Sequence, residues 1–173
     1  MGYLGSAVLI IFAGLPGTGK TTLATEIARR IEATYLRIDS IEQAMTNSSL
    51  KIHPIGDAGY MAGYALAEDN LRIGGTVVAD SVNPWEISRT YWLDVAERTS
   101  HDAVEIEVVC SDPIEHQLRI ETRKTNIPGL KLPTWQDVLD RDYHPWNRDH
   151  VVIDTAGKTV EQSIDELMAS LPS

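Results

Sequence analysis

Seven consecutive apolar residues near the start of the chain lead directly into a glycine-rich turn. Residues 7–13 contain no polar side chain, which is typical of a strand buried on both faces of a parallel sheet. After the turn, Leu23, Ile27, Ala28 and Ile31 recur at the spacing of an amphipathic helix. A strand, a tight turn and a helix in this order favour an open α/β sheet, in which ligands bind at the carboxyl ends of the strands.

The rest of the chain alternates short hydrophobic runs with helical patterns, which predicts a parallel sheet with crossover helices. The further strands are predicted at residues 34–38, 76–79, 104–110 and 151–153. Helices are predicted over residues 57–73, after Asn83 and Asp112 as N-caps, over 134–143, and after a capping box of Thr159 and Gln162. No repeat or linker interrupts the pattern, so residues 1–173 are expected to form one domain.

The glycine-rich turn matches the complete P-loop pattern, G-x-x-x-x-G-K-T, and has the strand and helix that the pattern requires on either side. In such a loop the backbone N–H groups curl around phosphates at the positive end of the helix dipole. Lys20 is expected to neutralise the β- and γ-phosphates, and the Thr21 hydroxyl to bind Mg²⁺. The sequence therefore predicts that ATP and Mg²⁺ bind at Gly14, Leu15, Pro16, Gly17, Thr18, Gly19, Lys20, Thr21 and Thr22.

Two aspartates stand where predicted strands end, Asp39 after residues 34–38 and Asp80 after residues 76–79. Both should lie at the edge of the sheet where Lys20 holds phosphates. Transfer of a phosphoryl group to a hydroxyl needs a carboxylate that accepts the proton and a further group that organises the magnesium shell. We expect Asp39 to be the base and Asp80 to serve the metal or the acceptor, although these roles could be exchanged and either residue could be a helix cap.

Arg119 and Arg123 lie four residues apart at the end of a predicted helix, just before a segment rich in Pro and Gly. Guanidinium groups suit the charge of a transferring phosphoryl group and can stack on adenine, whereas a solvated basic face is the other reading. Residues 119–133 are predicted to form a lid that excludes water. Thr155, Ala156 and Gly157 follow the last strand and are predicted to contact the adenine.

The composition indicates which partners the protein can bind and in which cellular compartment it works. A formal net charge of −10 argues against a nucleic-acid partner, which calls for clustered Lys and Arg. Cys110 is the only cysteine, which indicates a reducing, cytoplasmic setting. The apolar run at 7–13 is too short to span a bilayer, and residues 1–6 lack the basic residue of a secretory signal. The oligomeric state is not indicated.

These features together resemble the P-loop kinase group that includes the phage polynucleotide 5′-kinase domain, zeta toxins and chloramphenicol phosphotransferase. The resemblance covers residues 7–170 and rests on the P-loop, Asp39, the stretch 77–84 and the two arginines. It implies a five-stranded parallel sheet of order 2-3-1-4-5, with Asp39 as the base and the arginines in the lid. The polynucleotide kinase pattern has an arginine shortly after the aspartate, where this chain has Glu42.

The predicted function is ATP-dependent transfer of the γ-phosphoryl group to a hydroxyl of a small-molecule acceptor. The alternatives are a kinase of nucleotide or nucleic-acid 5′-hydroxyls and, from another class, a regulatory NTPase without an acceptor. The acceptor pocket is expected within residues 45–73, where Tyr60 and Tyr64 offer hydroxyl groups. No residue there identifies the acceptor.

Overall fold

The computed structural model describes residues 7–171, and this part of the chain contains five strands and seven helices joined by loops. The strands are β1 Val8–Ala13, β2 Thr34–Arg37, β3 Val77–Asp80, β4 Asp102–Val109 and β5 Val151–Asp154. The helices are α1 Lys20–Arg30, α2 Ile38–Asn47, α3 Ala58–Arg72, α4 Glu86–Thr99, α5 Pro113–Thr122, α6 Trp135–Leu139 and α7 Val160–Ser170.

All strand pairs are parallel, and the strand order is β2-β3-β1-β4-β5, which confirms the predicted sheet. The first strand lies at the centre, where Ile10 stands beside Val78 on one side and Val104 on the other. Because every strand points the same way, their carboxyl ends share one edge. The turn after β1 and the ends of β2 and β3 therefore meet there.

Two layers of helices cover the sheet, and each encloses its own hydrophobic cluster. Alternate residues of β1 serve the two sides: Ile10 and Phe12 pack towards α1 and α7, whereas Leu9 and Ile11 pack towards α3 and α4. All four side chains are completely buried. At about 25 cal/mol per Å² of apolar surface removed from water, this two-sided burial is the main stabilisation of the central strand.

Helix α3 holds helix α2 against the sheet through two glycines one turn apart. A side chain at Gly63 would collide with Ile38 of α2 and come within 3.2 Å of Trp92, and one at Gly59 would collide with Glu42 of α2. The missing side chains let the two helices approach closely. This contact fixes α2, the helix whose first turn carries Asp39.

Two predicted helices begin or end elsewhere. The helix predicted to start at Asn83 begins at Glu86, because the Asn83 side chain donates to Phe12 O at 2.9 Å and accepts from Trp92 Nε1 at 3.0 Å. The helix predicted over residues 134–143 stops at Leu139. The segment that follows is irregular and is held by buried Arg89, which donates to the carbonyls of residues 144 and 145.

None of the helices between residues 7 and 171 has the length and apolar character needed to cross a membrane.

Candidate active site

The turn after β1 forms a phosphate-binding loop whose backbone only glycine suits. Gly17 and Gly19 have φ angles of 86° and 95°, in the region that side chains disfavour. A Cβ atom at Gly17 would also lie 2.6 Å from Ile120 of α5. Helix α1 begins at Lys20 directly after this turn, so its free N–H groups and its dipole face the loop.

Two further elements hold the loop from the side of β4 and β5. His116 of α5 bonds to Pro16 O at 2.8 Å, and the Thr155 hydroxyl donates to Thr18 O at 2.7 Å. Arg119 joins these elements, because its guanidinium donates to the hydroxyl and the carbonyl of Thr155 at 2.7 and 3.0 Å. The loop is therefore rigidly supported, which favours phosphate binding because little order has to be gained.

Asp80, the last residue of β3, lies behind the phosphate loop and is 1% exposed. Its carboxylate accepts from Lys20 Nζ at 2.5 Å and from the Tyr35 hydroxyl at 2.7 Å. Burial alone would raise the pKa of Asp80, but the charge and hydrogen bond of Lys20, with the hydroxyls of Tyr35 and Thr21, hold it below its ordinary value. Asp80 is thus an anion beside Thr21 and Lys20.

A large cleft of about 1400 Å³ runs from the phosphate loop to α2 and α3. Lys20, Thr21 and Asp39 all line it, so the structure places the predicted base in the same cavity as the phosphate-binding residues. Within residues 7–171 the Asp39 carboxylate has no hydrogen-bond partner. Asp39 lies in the first turn of α2, and the N-cap of that helix is Arg37, so the reading of Asp39 as the cap is wrong.

The two arginines predicted to share a helical face both line the cleft, but they have different neighbours. Arg119 is in α5 and forms an ion pair with Glu115 beside Thr155, on the side of the phosphate loop. Arg123 is the C-cap of α5, with an extended backbone, and lines the cleft near the charge of Asp39. Arg123 N still donates to Arg119 O at 3.1 Å, and the φ angle of Arg123 is −64°, so the helical spacing extends to Arg123 and only the residues after it leave the helix.

The loop after β5 meets the cleft at only one of its three predicted residues. Thr155 lines the cavity, whereas Ala156 and Gly157 lie outside the lining. The N–H group of Ala156 donates a hydrogen bond to Asp154 Oδ1 at 3.0 Å, and that of Gly157 donates to Glu115 Oε2 at 2.9 Å. In the phosphate loop itself, buried Thr18 and Gly14 lie behind the lining as well, and Thr18 donates to Leu15 O.

The cleft also contains side chains that were not predicted, among them Arg37 at the end of β2, Glu42 of α2 and Arg141 after α6. The pKa of Glu42 is raised to about 7, mainly because the side chain is partly buried and secondly because the charge of Asp39 is close. The positive charge of Arg141 opposes this shift. Glu42 follows Asp39 by one helical turn, so its proximity was readable from spacing. The other two arrive from distant parts of the chain.

We expect Glu42→Gln to stabilise the protein above pH 7, because it removes a carboxylate that is costly to ionise. The native pKa of about 7 exceeds the ordinary 4.5, so the native state binds more protons than the unfolded state between these values. Wild-type stability should therefore fall as the pH rises from 4.5 to 7, by about 1–3 kcal/mol. Urea unfolding from pH 4 to 9 measures this.

The matched control for this prediction is Glu97→Gln, which changes an exposed glutamate of α4. It should leave the pH dependence of unfolding as it is in the wild type. If the curves of wild type and Glu42→Gln run parallel over the whole pH range, Glu42 does not have a raised pKa.

The residues around the loop fit Mg²⁺ together with nucleotide phosphates. Mg²⁺ usually keeps water and phosphate oxygens as ligands and takes only one or two from the protein. The Thr21 hydroxyl and the Asp80 carboxylate offer such oxygens next to each other at the start of α1. Within residues 7–171 no group of three or more His, Cys, Asp or Glu side chains forms a separate metal site.

Comparison with known proteins identifies the family. The sequence profile described as an AAA domain matches residues 9–141. A shikimate kinase of Frankia casuarinae is 28% identical over 177 aligned positions, which cover 94% of this chain and 72% of that protein. A protein of Aeropyrum pernix named as an adenylyl-sulfate kinase is 24% identical, over 92% of this chain and 90% of its own length.

A solved structure shows the same fold. The APS kinase of Mycobacterium tuberculosis, in complex with AMPPNP and APS, superimposes with a TM-score of 0.69 at 15% identity and covers 95% of this chain and 96% of its own. The chain therefore belongs to the AAA-domain family and, by its fold and its kinase relatives, to a P-loop kinase group.

Proposed function

We propose that this protein is a kinase that transfers the γ-phosphoryl group of ATP, with Mg²⁺, to a hydroxyl of a small molecule. The observation that carries the proposal is the position of Asp39, a carboxylate without a hydrogen-bond partner among residues 7–171, in the cleft that Lys20 and Thr21 also line. A nucleotide-dependent switch has no need of a carboxylate there. A kinase needs one to position a hydroxyl and accept its proton.

In the proposed reaction, the acceptor hydroxyl donates a hydrogen bond to Asp39 and attacks the γ-phosphorus as ADP leaves. Asp39 takes the proton, while Lys20 and Arg123 neutralise charge on the transferring group. Mg²⁺ bound near Thr21 would hold the β- and γ-phosphates and reduce their repulsion of the acceptor. We assign to Asp80 the orientation of Lys20 and of the metal shell. Its carboxylate accepts hydrogen bonds from Lys20 and Tyr35 and does not line the cleft.

We place the adenine beside Arg119 and Thr155, the side of the cleft opposite to α2. Arg119 is fixed there by Glu115 and Thr155, which leaves a planar guanidinium at the phosphate loop. Ala156 and Gly157 support this side by holding the loop through their N–H groups, so we propose for them an indirect part in adenine binding.

We also propose that residues 119–133 act as a lid. Helix α5 continues to Thr122, so the irregular part begins at Arg123, and it rests on the acceptor side of the cleft: Arg37 Nη1 donates to Asn126 Oδ1 at 2.9 Å, and Asn47 Nδ2 to Pro128 O at 3.2 Å. These exposed contacts are weak enough to open and close.

A closing lid predicts slower amide hydrogen exchange over residues 119–133 when AMPPNP and Mg²⁺ are added, because Arg123 gains contact with the phosphates. Mass spectrometry of exchange measures this. Residues 92–99 of helix α4, none of which lines the cleft, serve as the internal reference. Equal exchange over 119–133 with and without nucleotide contradicts the lid.

The small size of the acceptor is supported by the relatives, which are named shikimate kinase and adenylyl-sulfate kinase. The resemblance to chloramphenicol phosphotransferase points the same way. The net charge of −10 and Glu42 in place of an arginine speak against a polynucleotide. Part of the cleft wall beyond Asp39 is apolar and partly exposed, with Met61, Trp85 and Tyr91, which suits contact with the body of a compact organic acceptor.

The test is a screen for acceptor-stimulated ADP release with sugars, hydroxy acids, nucleosides and aminoglycosides at saturating ATP and Mg²⁺. The proposal expects at least one small hydroxyl compound to accelerate ADP release and to carry the phosphate afterwards, as mass spectrometry of the product shows. If only oligonucleotide 5′-hydroxyls are phosphorylated, the alternative nucleic-acid kinase is correct. If ADP is released at one slow rate whatever is added, a regulatory NTPase is correct.

A further inference from the structure

Three arginines line the acceptor side of the cleft together with Asp39. Arg37 arrives from the end of β2, Arg123 from the end of α5, and Arg141 from the segment after α6, and all three line the cleft with Asp39. Their charges act on one another: burial lowers the pKa of Arg123, Asp39 opposes this, and Arg37 and Arg141 lower it further. We call Arg37, Arg123 and Arg141 the arginine cluster.

The arginine cluster differs from the other described arginines in its partners. Within residues 7–171, six arginines form ion pairs with carboxylates: Arg29, Arg30, Arg72, Arg98, Arg119 and Arg148. Arg89 is buried and donates four hydrogen bonds to backbone carbonyls. In the described part of the chain, the members of the arginine cluster form no ion pair. The Nε–H groups of Arg37 and Arg123 are moreover buried without a hydrogen-bond partner.

No nearby carboxylate forms an ion pair with these three positive charges in the described part of the chain. Asp39 and Asp57 line the cleft, but so do Lys124 and Lys131, and Asp137 is close enough to Arg141 to feel its charge. Glu42 has a pKa of about 7 and is therefore only partly ionised at neutral pH. Like charges at short range raise the energy of the folded protein unless a counter-charge is present, and buried unpaired donors add to that cost. The cluster is thus built for an anion that comes from outside the chain.

The position of Arg37 separates this anion from the phosphates of ATP. In the sheet, Arg37 stands beside Asp80, and Asp80 stands beside Phe12 in β1. Two strand spacings, about 10 Å, therefore separate Arg37 from the strand that leads into the phosphate loop. Arg141 acts on Glu42 of α2, which is on the same side. Arg123 alone is also proposed to meet the γ-phosphoryl group, so it links the two sites.

We propose that the arginine cluster binds an oxyanion of the acceptor, so that the acceptor is a hydroxyl compound that carries a carboxylate, sulfate or phosphate group. The role as acceptor site rests on the kinase function proposed above, whereas anion binding by the cluster does not. Guanidinium forks match the planar or tetrahedral oxygens of these groups, and Asp39 among them receives the hydroxyl of the same molecule.

The first experiment measures anion binding without catalysis. Inorganic sulfate is titrated into protein saturated with AMPPNP and Mg²⁺, so that the phosphate loop is filled, at constant ionic strength, and the thermal midpoint is followed. Wild type should be stabilised. Arg37→Gln and Arg141→Gln should each weaken the apparent sulfate affinity about 10- to 100-fold, the effect of losing charged hydrogen bonds. Arg98→Gln, an exposed arginine of α4, is the control and should bind sulfate as the wild type does.

The second experiment compares pairs of acceptors that share most of their structure but differ in charge. The pairs are gluconate and gluconamide, shikimate and its methyl ester, and a nucleoside 5′-monophosphate and its nucleoside, which makes two carboxylate pairs and one phosphate pair. For the accepted pair, kcat/KM should be about 10- to 100-fold higher with the anionic member. Arg37→Gln should raise KM for that member by a similar factor and leave KM for ATP unchanged.

The outcomes distinguish the two proposals. Sulfate binding that Arg37→Gln and Arg141→Gln weaken, together with no acceptor in any screen, leaves the oxyanion site in place and removes the kinase function. If the neutral and the anionic member of a pair are phosphorylated with equal kcat/KM, the kinase function stands and the oxyanion site is overturned. Sulfate effects that are equal in wild type, Arg37→Gln, Arg141→Gln and Arg98→Gln overturn the oxyanion site too, as does a rise in KM for ATP alone.

Discussion

Lys20→Ala should bind ADP about 10- to 100-fold more weakly than the wild type, because it removes the charged hydrogen bonds of the ammonium group to the phosphates. The same change should destabilise the fold. Asp80 is 1% exposed, and without Lys20 its buried negative charge has only hydroxyl groups such as that of Tyr35 as hydrogen-bond donors. Breaking a buried ion pair from one side costs about 3–5 kcal/mol. Calorimetry with ADP and urea unfolding measure the two effects separately.

A double variant separates binding from stability. Asp80→Asn added to Lys20→Ala removes the unpaired buried charge, so it should recover most of the lost free energy of unfolding. It should not recover the affinity for ADP measured without Mg²⁺, because the phosphates still lack Lys20. An ADP affinity equal to that of the wild type in Lys20→Ala, with a native circular dichroism spectrum, contradicts the phosphate-binding role of Lys20.

The parts of the fold that were predictable from sequence are those that local patterns determine. The apolar run at 7–13 became β1, and the P-loop pattern placed α1 at Lys20 because glycine backbone angles and the helix start are local properties. The caps at Asp112 and Thr159 also formed as predicted, since each side chain accepts from N–H groups two or three residues away. The order of the strands followed from the family resemblance and is confirmed.

The parts that were missed depend on contacts between distant residues. Asn83 was predicted to cap a helix, but its side-chain amide instead donates to the carbonyl of Phe12, 71 residues away, and accepts from the Trp92 indole. Arg37 and Arg141 lie 104 positions apart along the chain, and only the fold brings them to one cleft. No local spacing reveals such a cluster.

Asp39→Asn should lower the rate of phosphoryl transfer by about 10² to 10⁴, the usual contribution of a general base, once the screen has supplied an acceptor. Asparagine has nearly the same shape but cannot take the proton of the acceptor hydroxyl. The affinity for ATP should stay within a few-fold of the wild type, because the contacts of the phosphate loop and Lys20 remain. The fold should tolerate the change, since within residues 7–171 no hydrogen bond depends on the Asp39 carboxylate.

Two further variants decide between a base and a metal-shell residue. Asp69→Asn, at an exposed aspartate of α3, is the control for the loss of one negative charge and should transfer at the wild-type rate. Asp80→Asn should instead raise the concentration of Mg²⁺ needed for half-maximal rate, because Asp80 stands beside Thr21 and Lys20. Single-turnover transfer as a function of Mg²⁺ measures both effects. If Asp39→Asn transfers phosphate as fast as the wild type at every Mg²⁺ concentration, Asp39 is not the base, and that role passes to Asp80.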